Sequence, residues 1–143
     1  MAQKVYLDSD VILDYLAERQ PHDATAVKII NLIENKQIQG FISSLIVWNL
    51  YYLLSKNVGA TQARSILQKF RKLVHILPVT EETIDSALSS NMRDFEDSVQ
   101  YFAFKKGKID IFISRNTKDY PKNSAVIMTP NEFLKTIEQA DDV

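Results

Sequence analysis

The apolar residues of this chain fall into short runs of strand formers and longer stretches with helical spacing. Residues 5–7 form the first short run, and Asp8, Ser9 and Asp10 follow it directly. Apolar residues then recur three and four positions apart as far as Leu16, which is the spacing of one helix face. The sequence therefore predicts a buried strand, an acidic turn and a helix, in that order.

The same alternation continues towards the end of the chain. Further strands are predicted at residues 41–42, 74–77, 109–113 and 125–128, and helices at 24–35, 45–56, 61–73, 80–88, 94–106 and from Pro130 onward. Helices between successive strands are typical of a parallel sheet that is covered on both faces. No internal repeat, low-complexity segment or linker divides the sequence, so we expect an α/β fold in a single domain over residues 1–143.

The helix predicted at residues 45–56 is apolar nearly all round, and one polar side chain, Asn49, interrupts it. Helices of this kind are usually buried between layers or at a subunit interface, which makes a homodimer one expectation. Taken alone, an amide in such a helix is expected to be buried and to pair with backbone groups.

Composition and charge exclude several classes of protein. Apolar residues make up 45% of the 143 residues and charged residues 24%, which is ordinary for a soluble globular protein. The absence of cysteine excludes disulfides and thiolate metal sites. Without a signal-peptide pattern or an apolar run near the ~18 residues of a membrane span, we expect a cytoplasmic protein with no membrane partner. Because the formal net charge is −1, a nucleic acid would have to meet a local basic patch.

Carboxylates lie at three places where strands end or helices begin. Asp8 and Asp10 follow the first strand, Asp94 and Asp97 open the helix before the fourth strand, and Asp119 lies beyond that strand. In a parallel sheet these places can meet at one end, which is where ligands bind. Clustered carboxylates repel one another unless a cation offsets their charge, and oxygen ligands without His or Cys suit Mg²⁺ or Mn²⁺. Taken singly, the same acids could be helix caps, turn residues or surface charges.

Four segments resemble motifs of PIN domains. Residues 7–14 are similar to the opening D-T-N-V-hydrophobic signature, and residues 94–100 to the D-F-E-D-A-hydrophobic-Q segment of one bacterial branch. Residues 111–120 resemble I-I-T-R-N-x-x-D-F, and residues 130–134 resemble P-x-E-F-L. These segments, in this order, cover almost the whole chain. The resemblance implies a three-layer α/β/α fold with a roughly five-stranded parallel sheet.

The resemblance also implies an activity. It suggests a metal-dependent endoribonuclease that hydrolyses RNA phosphodiesters, in bacteria often the toxin of a toxin–antitoxin pair. By the resemblance, Asp8, Asp97 and Asp119 are the catalytic and metal-binding acids, with Mg²⁺ or Mn²⁺ as cofactor. Asp94 would be an extra metal-binding carboxylate at the rim, and Asn116 occupies the position where some members carry the last acid.

Asn49 departs from the family pattern, because it stands where the family usually has a Glu. An amide oxygen can coordinate a metal but cannot neutralise it. The resemblance therefore implies weaker metal binding here, unless Asp94 compensates. Ser9 and Asp10 are conservative variants of the capping turn, and Asp10 could partly restore the missing charge.

Four cations lie near the predicted acidic end of the sheet. Arg115 and Lys118 lie shortly before Asp119. Arg19 follows the first helix, and Arg93 directly precedes Asp94. Because a nuclease must hold the phosphodiester chain near its metal, these four side chains are the candidates for contact with the RNA backbone.

Two other functions stay open, and with them the question of whether the chain is an enzyme. The first alternative is a PIN-fold binding module for RNA or a protein partner, with a site weakened by Asn49. The second is a haloacid-dehalogenase-like phosphatase with Asp8 as nucleophile, because residues 8–11 also resemble that family's D-x-D-x-T/V opening. Against the phosphatase, the sequence has no convincing downstream lysine motif and too little room for that fold with its cap.

Overall fold

The structure, a computed structural model, describes residues 2–122 and 126–141, with the backbone alone for the last of these. The strands are β1 (Gln3–Leu7), β2 (Ile38–Ser43), β3 (Val74–Leu77), β4 (Ile111–Ile113) and β5 (Val126–Met128). The helices are α1 (Ser9–Leu16), α2 (Asp23–Glu34), α3 (Ser44–Val58), α4 (Ala60–Arg71), α5 (Glu81–Ser89), α6 (Phe95–Lys106) and α7 (Pro130–Asp141). A 3₁₀ turn, Thr117–Asp119, lies in the loop after β4.

The five strands form one parallel sheet in the order β3-β2-β1-β4-β5. This confirms the expected α/β fold with a five-stranded parallel sheet. From β1 the chain adds β2 and then β3 on one side of the sheet. It then returns to the other side of β1, where it adds β4 and β5. The carboxyl ends of β1 and β4 therefore lie side by side where the strand order reverses, which is where open α/β sheets bind ligands.

Alternate residues of the central strands face opposite layers. Val5 and Leu7 belong to the larger core, which includes side chains from α1, α2, α3, α4 and α7. Tyr6 and Phe112, stacked with ring centroids 4.8 Å apart, belong to a second, aromatic cluster with side chains of α6. Helix α5 packs against α6. Burial on both faces explains why the central strands are continuous apolar runs rather than alternating ones.

Helix α3 is not buried all round. Ile46, Leu50 and Leu54 are buried at four-residue spacing, whereas Trp48 is 81% and Tyr52 53% exposed. Of the two expected places for this helix, burial between layers does not hold on that side. The main contacts of α3 are with α4, β2 and α1. A subunit interface on the exposed face stays a prediction. Neither α3 nor any other helix in the described ranges is long and apolar enough to cross a membrane.

The starts of three strands differ from the predicted ones. Strand β1 begins at Gln3 instead of residue 5. Strand β2 begins at Ile38 instead of residue 41, and Gly40 therefore lies inside the strand. A Cβ atom there would lie 2.6 Å from Cδ1 of Ile33 on α2, so glycine lets the helix approach the strand closely. Strand β4 begins at Ile111 instead of residue 109, after Lys108 takes a positive φ of 55°. Residue 125, the first position predicted for β5, lies outside the described residues.

Candidate active site

Asp8 is the buried acid at the carboxyl end of β1, and it is 5% exposed. It caps α1, since its Oδ1 accepts a hydrogen bond of 2.7 Å from the backbone N–H of Ser9. The same oxygen accepts from Nε2 of Gln100 at 3.2 Å, and Oδ2 accepts from Oγ of Ser114 at 2.8 Å and from the hydroxyl of Tyr120 at 2.7 Å. These neutral donors, which come from three segments of the chain, offset the cost of burying the carboxylate.

Asp97 lies in the first turn of α6, and its backbone N–H donates to Oδ1 of the N-cap residue Asp94 at 2.9 Å. The capping role considered for Asp94 is therefore confirmed. Burial is the main cause that raises the pKa of Asp97 to about 6, and the charges of Asp8, Asp94 and, more weakly, Asp119 act in the same direction. The fields of four carboxylates thus overlap at this edge of the sheet. We call Asp8, Asp10, Asp94, Asp97 and Asp119 the acidic pocket.

A single phenol links the two inner acids. The hydroxyl of Tyr120 lies 2.7 Å from Oδ2 of Asp8 and 3.2 Å from Oδ1 of Asp97. Because a phenol has one proton, the shorter contact marks Asp8 as its principal acceptor. Burial first, and then the charge of Asp8, raise the pKa of Tyr120, so the phenol stays protonated. The hydroxyl of Tyr120 therefore lies between Asp8 and Asp97 and donates mainly to Asp8.

Asp10 faces the loop that follows β4. Its Oδ2 accepts hydrogen bonds from the backbone N–H of Arg115 at 3.3 Å and from Nδ2 of Asn116 at 3.4 Å. Its Oδ1 is buried and has no hydrogen-bond partner in the part of the chain that the structure describes. Burial, and then the charge of Asp8, raise the pKa of Asp10 to about 7. A cation would stabilise an orphaned carboxylate oxygen of this kind beside a second acid.

Among the described residues, the Asn49 side chain has no backbone hydrogen-bond partner, so the expectation drawn from its apolar helix is wrong. Its Nδ2 donates a hydrogen bond of 2.7 Å to Oε1 of Glu96 in the first turn of α6. Both side chains are half-buried. The reason is that α3 and α6 both begin at the carboxyl edge of the sheet, so Asn49 faces a neighbouring helix rather than the core.

Comparison with known proteins identifies the family. Residues 4–118, well over half of the chain, match the family model described as a PIN domain. The chain belongs to the PIN domain family. Ribonuclease VapC1 of Aquifex aeolicus (strain VF5) is 26% identical to this PIN domain over 139 residues, which are 94% of this chain and 95% of that relative.

Solved structures share the fold of this PIN domain. VapBC2 from Rickettsia felis, bound to a DNA fragment from its promoter, gives a TM-score of 0.69 at 14% identity, over 89% of this chain and 98% of that chain. A toxin–antitoxin complex from Klebsiella pneumoniae gives 0.67 at 16% identity, over 88% and 97% of the two chains. The PIN-like fold expected from the motifs is therefore confirmed.

Two of the four candidate cations of this PIN domain are tied to a buried acid. Asp14 is 1% exposed, and its carboxylate oxygens lie 3.0 Å from Nε of Arg19 and 2.7 Å from Nε of Arg115. The Nε–H of Arg115 is not aligned for a hydrogen bond, but Nη2 donates to Asp14 at 3.3 Å. Arg93 and Lys118 are exposed. Contact with RNA stays a prediction for all four.

Sequence reasoning missed several residues of the hydrogen-bond and ion-pair network around the acids. They are Tyr6, Asp14, Glu96, Gln100, Ser114 and Tyr120. All but Tyr6 lie within the segments that carry the PIN resemblance, so their places in those motifs were the available signal. Tyr6 reads only as a strand former, although its hydroxyl donates to Oε1 of Gln100 at 3.1 Å.

The acidic pocket fits a hard divalent cation by its donor chemistry. Within residues 2–122 and 126–141, no three acidic or His side chains already surround one point as in a closed metal site. Mg²⁺, however, usually takes one or two carboxylates and keeps several waters. The linked pair Asp8 and Asp97, with the orphaned Oδ1 of Asp10 beside Asp8, suits that preference. Asp94 and Asp119 are exposed and lie at the rim.

Proposed function

We propose that this PIN domain, a single domain over residues 1–143, is a metal-dependent endoribonuclease. The observation that carries the proposal is the Tyr120 hydroxyl between Asp8 and Asp97, which brings together acids from the end of β1 and the start of α6. The name of the Aquifex aeolicus relative, a ribonuclease that aligns over nearly the whole chain, supports the same activity.

In this proposal Asp8 and Asp97 hold Mg²⁺ or Mn²⁺, and Asp119 and Asp94 add charge at the rim. A bound ion of this kind activates water and stabilises negative charge on a phosphoryl group. The protein's own contribution is to fix the acids before substrate arrives. Ser114 and Gln100 hold Asp8 through hydrogen bonds of 2.8 and 3.2 Å, so its carboxylate cannot swing away.

Substrate contacts are proposed at the same edge. The exposed side chains of Arg93 and Lys118 are free to reach RNA phosphates, whereas Arg19 and Arg115 would contribute less because both are held at the carboxylate of Asp14, which offsets part of their charge. A cleft of about 250 Å³, lined in part by Arg115, Asn116 and Asn131, offers room for part of a nucleotide.

We also propose two protein partners. The Klebsiella pneumoniae neighbour is a toxin–antitoxin complex, which favours an antitoxin as a partner of this chain. A second copy of the chain is proposed to cover the apolar side chains that α3 leaves exposed, Trp48, Tyr52 and Leu53. Such a homodimer would bury the face of α3 that the monomer leaves in solvent.

RNA cleavage tests the proposed activity. The wild-type protein should cleave a mixed RNA pool in the presence of Mn²⁺, and Asp97→Asn should lose on the order of 100-fold in rate, because it removes a charge from the ion-binding pair. Glu138→Gln removes the same charge from the exposed side of α7 and serves as the control. Equal cleavage by wild type and Asp97→Asn would reject the assignment.

A binding module without catalysis is the second candidate. The observation that favours it is that both oxygens of Asp8 already accept hydrogen bonds from protein donors. Protein that binds RNA but shows no heat of Mn²⁺ binding at millimolar metal would support this candidate over the nuclease. The phosphatase alternative is disfavoured, because residues 4–118 match the PIN domain model.

A further inference from the structure

We propose that Glu96, positioned by the amide of Asn49, is the fourth carboxylate of the metal-binding edge, so that α6 delivers the charge that α3 lacks. The inference rests on the proposed function, since it assigns a further residue to the same metal site. It replaces the expectation that Asn49 simply leaves the site one charge short.

The contact between the two helices is the first observation. Oε1 of Glu96 accepts a 2.7 Å hydrogen bond from Nδ2 of Asn49, which is short for a bond to an amide and typical of a charged acceptor. Among the described residues, the second carboxylate oxygen of Glu96 has no hydrogen-bond partner. Glu96 is therefore held by one oxygen and keeps the other available to a ligand.

The second observation is that Glu96 lies on the same helix turn as Asp97 and that its charge acts on a buried group connected to Asp8. Glu96 directly precedes Asp97 in the first turn of α6. The hydroxyl of Tyr6 donates to Oε1 of Gln100 at 3.1 Å, and Nε2 of Gln100 donates to Asp8 at 3.2 Å. Burial is the main cause of the raised pKa of Tyr6, and the charges of both Asp8 and Glu96 add to it. The charges of the two carboxylates therefore act on the same buried hydroxyl, which the hydrogen bonds through Gln100 connect to Asp8.

The identity of residue 49 follows from this arrangement. A carboxylate at position 49 would lie close to Glu96 and repel it, because two carboxylates both accept hydrogen bonds and neither donates one. The amide of Asn49 instead supplies a donor and fixes the orientation of Glu96. Asn49 is thus a positioning residue that acts through Glu96.

Asp94, which the sequence suggested as the compensating acid, is placed less well for that role. Its Oδ1 accepts the backbone N–H of Asp97 as the cap of α6, and its side chain is exposed. Solvent screens an exposed carboxylate more strongly than a half-buried one such as Glu96. We therefore expect Glu96 to contribute more to ion binding than Asp94.

Calorimetric titration with MnCl₂ alone tests the inference. Glu96→Gln keeps an oxygen that can accept from Asn49 but loses the charge, and it should weaken Mn²⁺ binding roughly tenfold. Asp94→Asn makes the same change in charge two positions earlier in the sequence and can still cap α6. It should therefore weaken Mn²⁺ binding less than about threefold. Glu138→Gln, on α7, should bind like wild type. Thermal unfolding of each variant checks that it is folded.

Rescue provides the second measurement. Asn49→Glu introduced into Glu96→Gln returns the carboxylate to α3 and should restore Mn²⁺ affinity to within about threefold of wild type. If wild type binds Mn²⁺ and Asp97→Asn does not, but Glu96→Gln binds like wild type or no worse than Asp94→Asn, the inference is overturned while the proposed function stands. Wild-type protein that binds no Mn²⁺ would overturn both.

Discussion

Replacing Tyr120 by Phe removes one hydroxyl and keeps the ring, so it tests the link between Asp8 and Asp97 directly. The Tyr120 side chain is 4% exposed, and its ring centroid lies 4.5 Å from that of Phe112, so the packing is retained. The lost hydrogen bond is to a buried carboxylate, and bonds of that kind contribute about 1.5–3 kcal/mol. Because Ser114 still donates to the same oxygen of Asp8, we expect a loss of about 2 kcal/mol in the free energy of unfolding.

Urea unfolding of the metal-free protein at pH 7.5 measures this loss. For a chain of this length, about 2 kcal/mol corresponds to a fall in melting temperature of roughly 8 °C. Tyr101→Phe is the matched control, because Tyr101 is 5% exposed in the same aromatic cluster and its hydroxyl makes no hydrogen bond to a described residue. The control should lose less than about 0.5 kcal/mol. Equal losses for the two variants would refute the view that the Tyr120 hydroxyl stabilises the paired acids.

Three further predictions concern charge and the exposed helix face. Asp10 has a pKa of about 7 in the folded protein against an ordinary value of 3.8, so its ionisation alone should cost metal-free protein on the order of 3 kcal/mol as pH rises from about 4 to 7.5, and the raised pKa of Asp97 adds a loss in the same direction. Asp10→Asn should flatten that slope in urea titrations, and an unchanged slope would contradict the assignment. Asp14→Asn removes the carboxylate that Arg19 and Arg115 share and should cost about 2–3 kcal/mol, and a loss below about 0.5 kcal/mol would count against a structural role. Trp48→Ala should change monomer stability by less than about 0.5 kcal/mol yet weaken self-association in sedimentation equilibrium, and an unaltered association constant would reject α3 as the interface.

Much of the fold could be predicted because its signals are local. The apolar runs at β1, β3 and β4 and the helical spacing of α2, α4 and α6 need only near neighbours in sequence. Strand β2 was predicted too short, since Gly40 reads as a strand end until α2 is seen to pack over it. The sequence left open whether α3 is buried between layers or at a subunit interface, because apolar composition does not say which side of a helix meets the sheet.

The site could be predicted only to the level of its acids. Strand ends and helix starts are positions that a parallel topology brings to one edge, which is why Asp8 and Asp97 were expected to meet. Their hydrogen-bond partners depend on how far side chains from separate elements reach. Tyr120 and Asp8 lie 112 positions apart in the sequence, and Glu96 and Asn49 lie 47 positions apart. No local pattern therefore encodes either contact.

Anomalous X-ray scattering from crystals soaked in MnCl₂ tests the central claim most directly, because it locates the ion without relying on activity. The account predicts a peak in contact with carboxylate oxygens of Asp8 and Asp97, and its loss in crystals of Asp97→Asn. Ordered density for the acidic pocket with no peak beside these two residues at millimolar Mn²⁺ would contradict it.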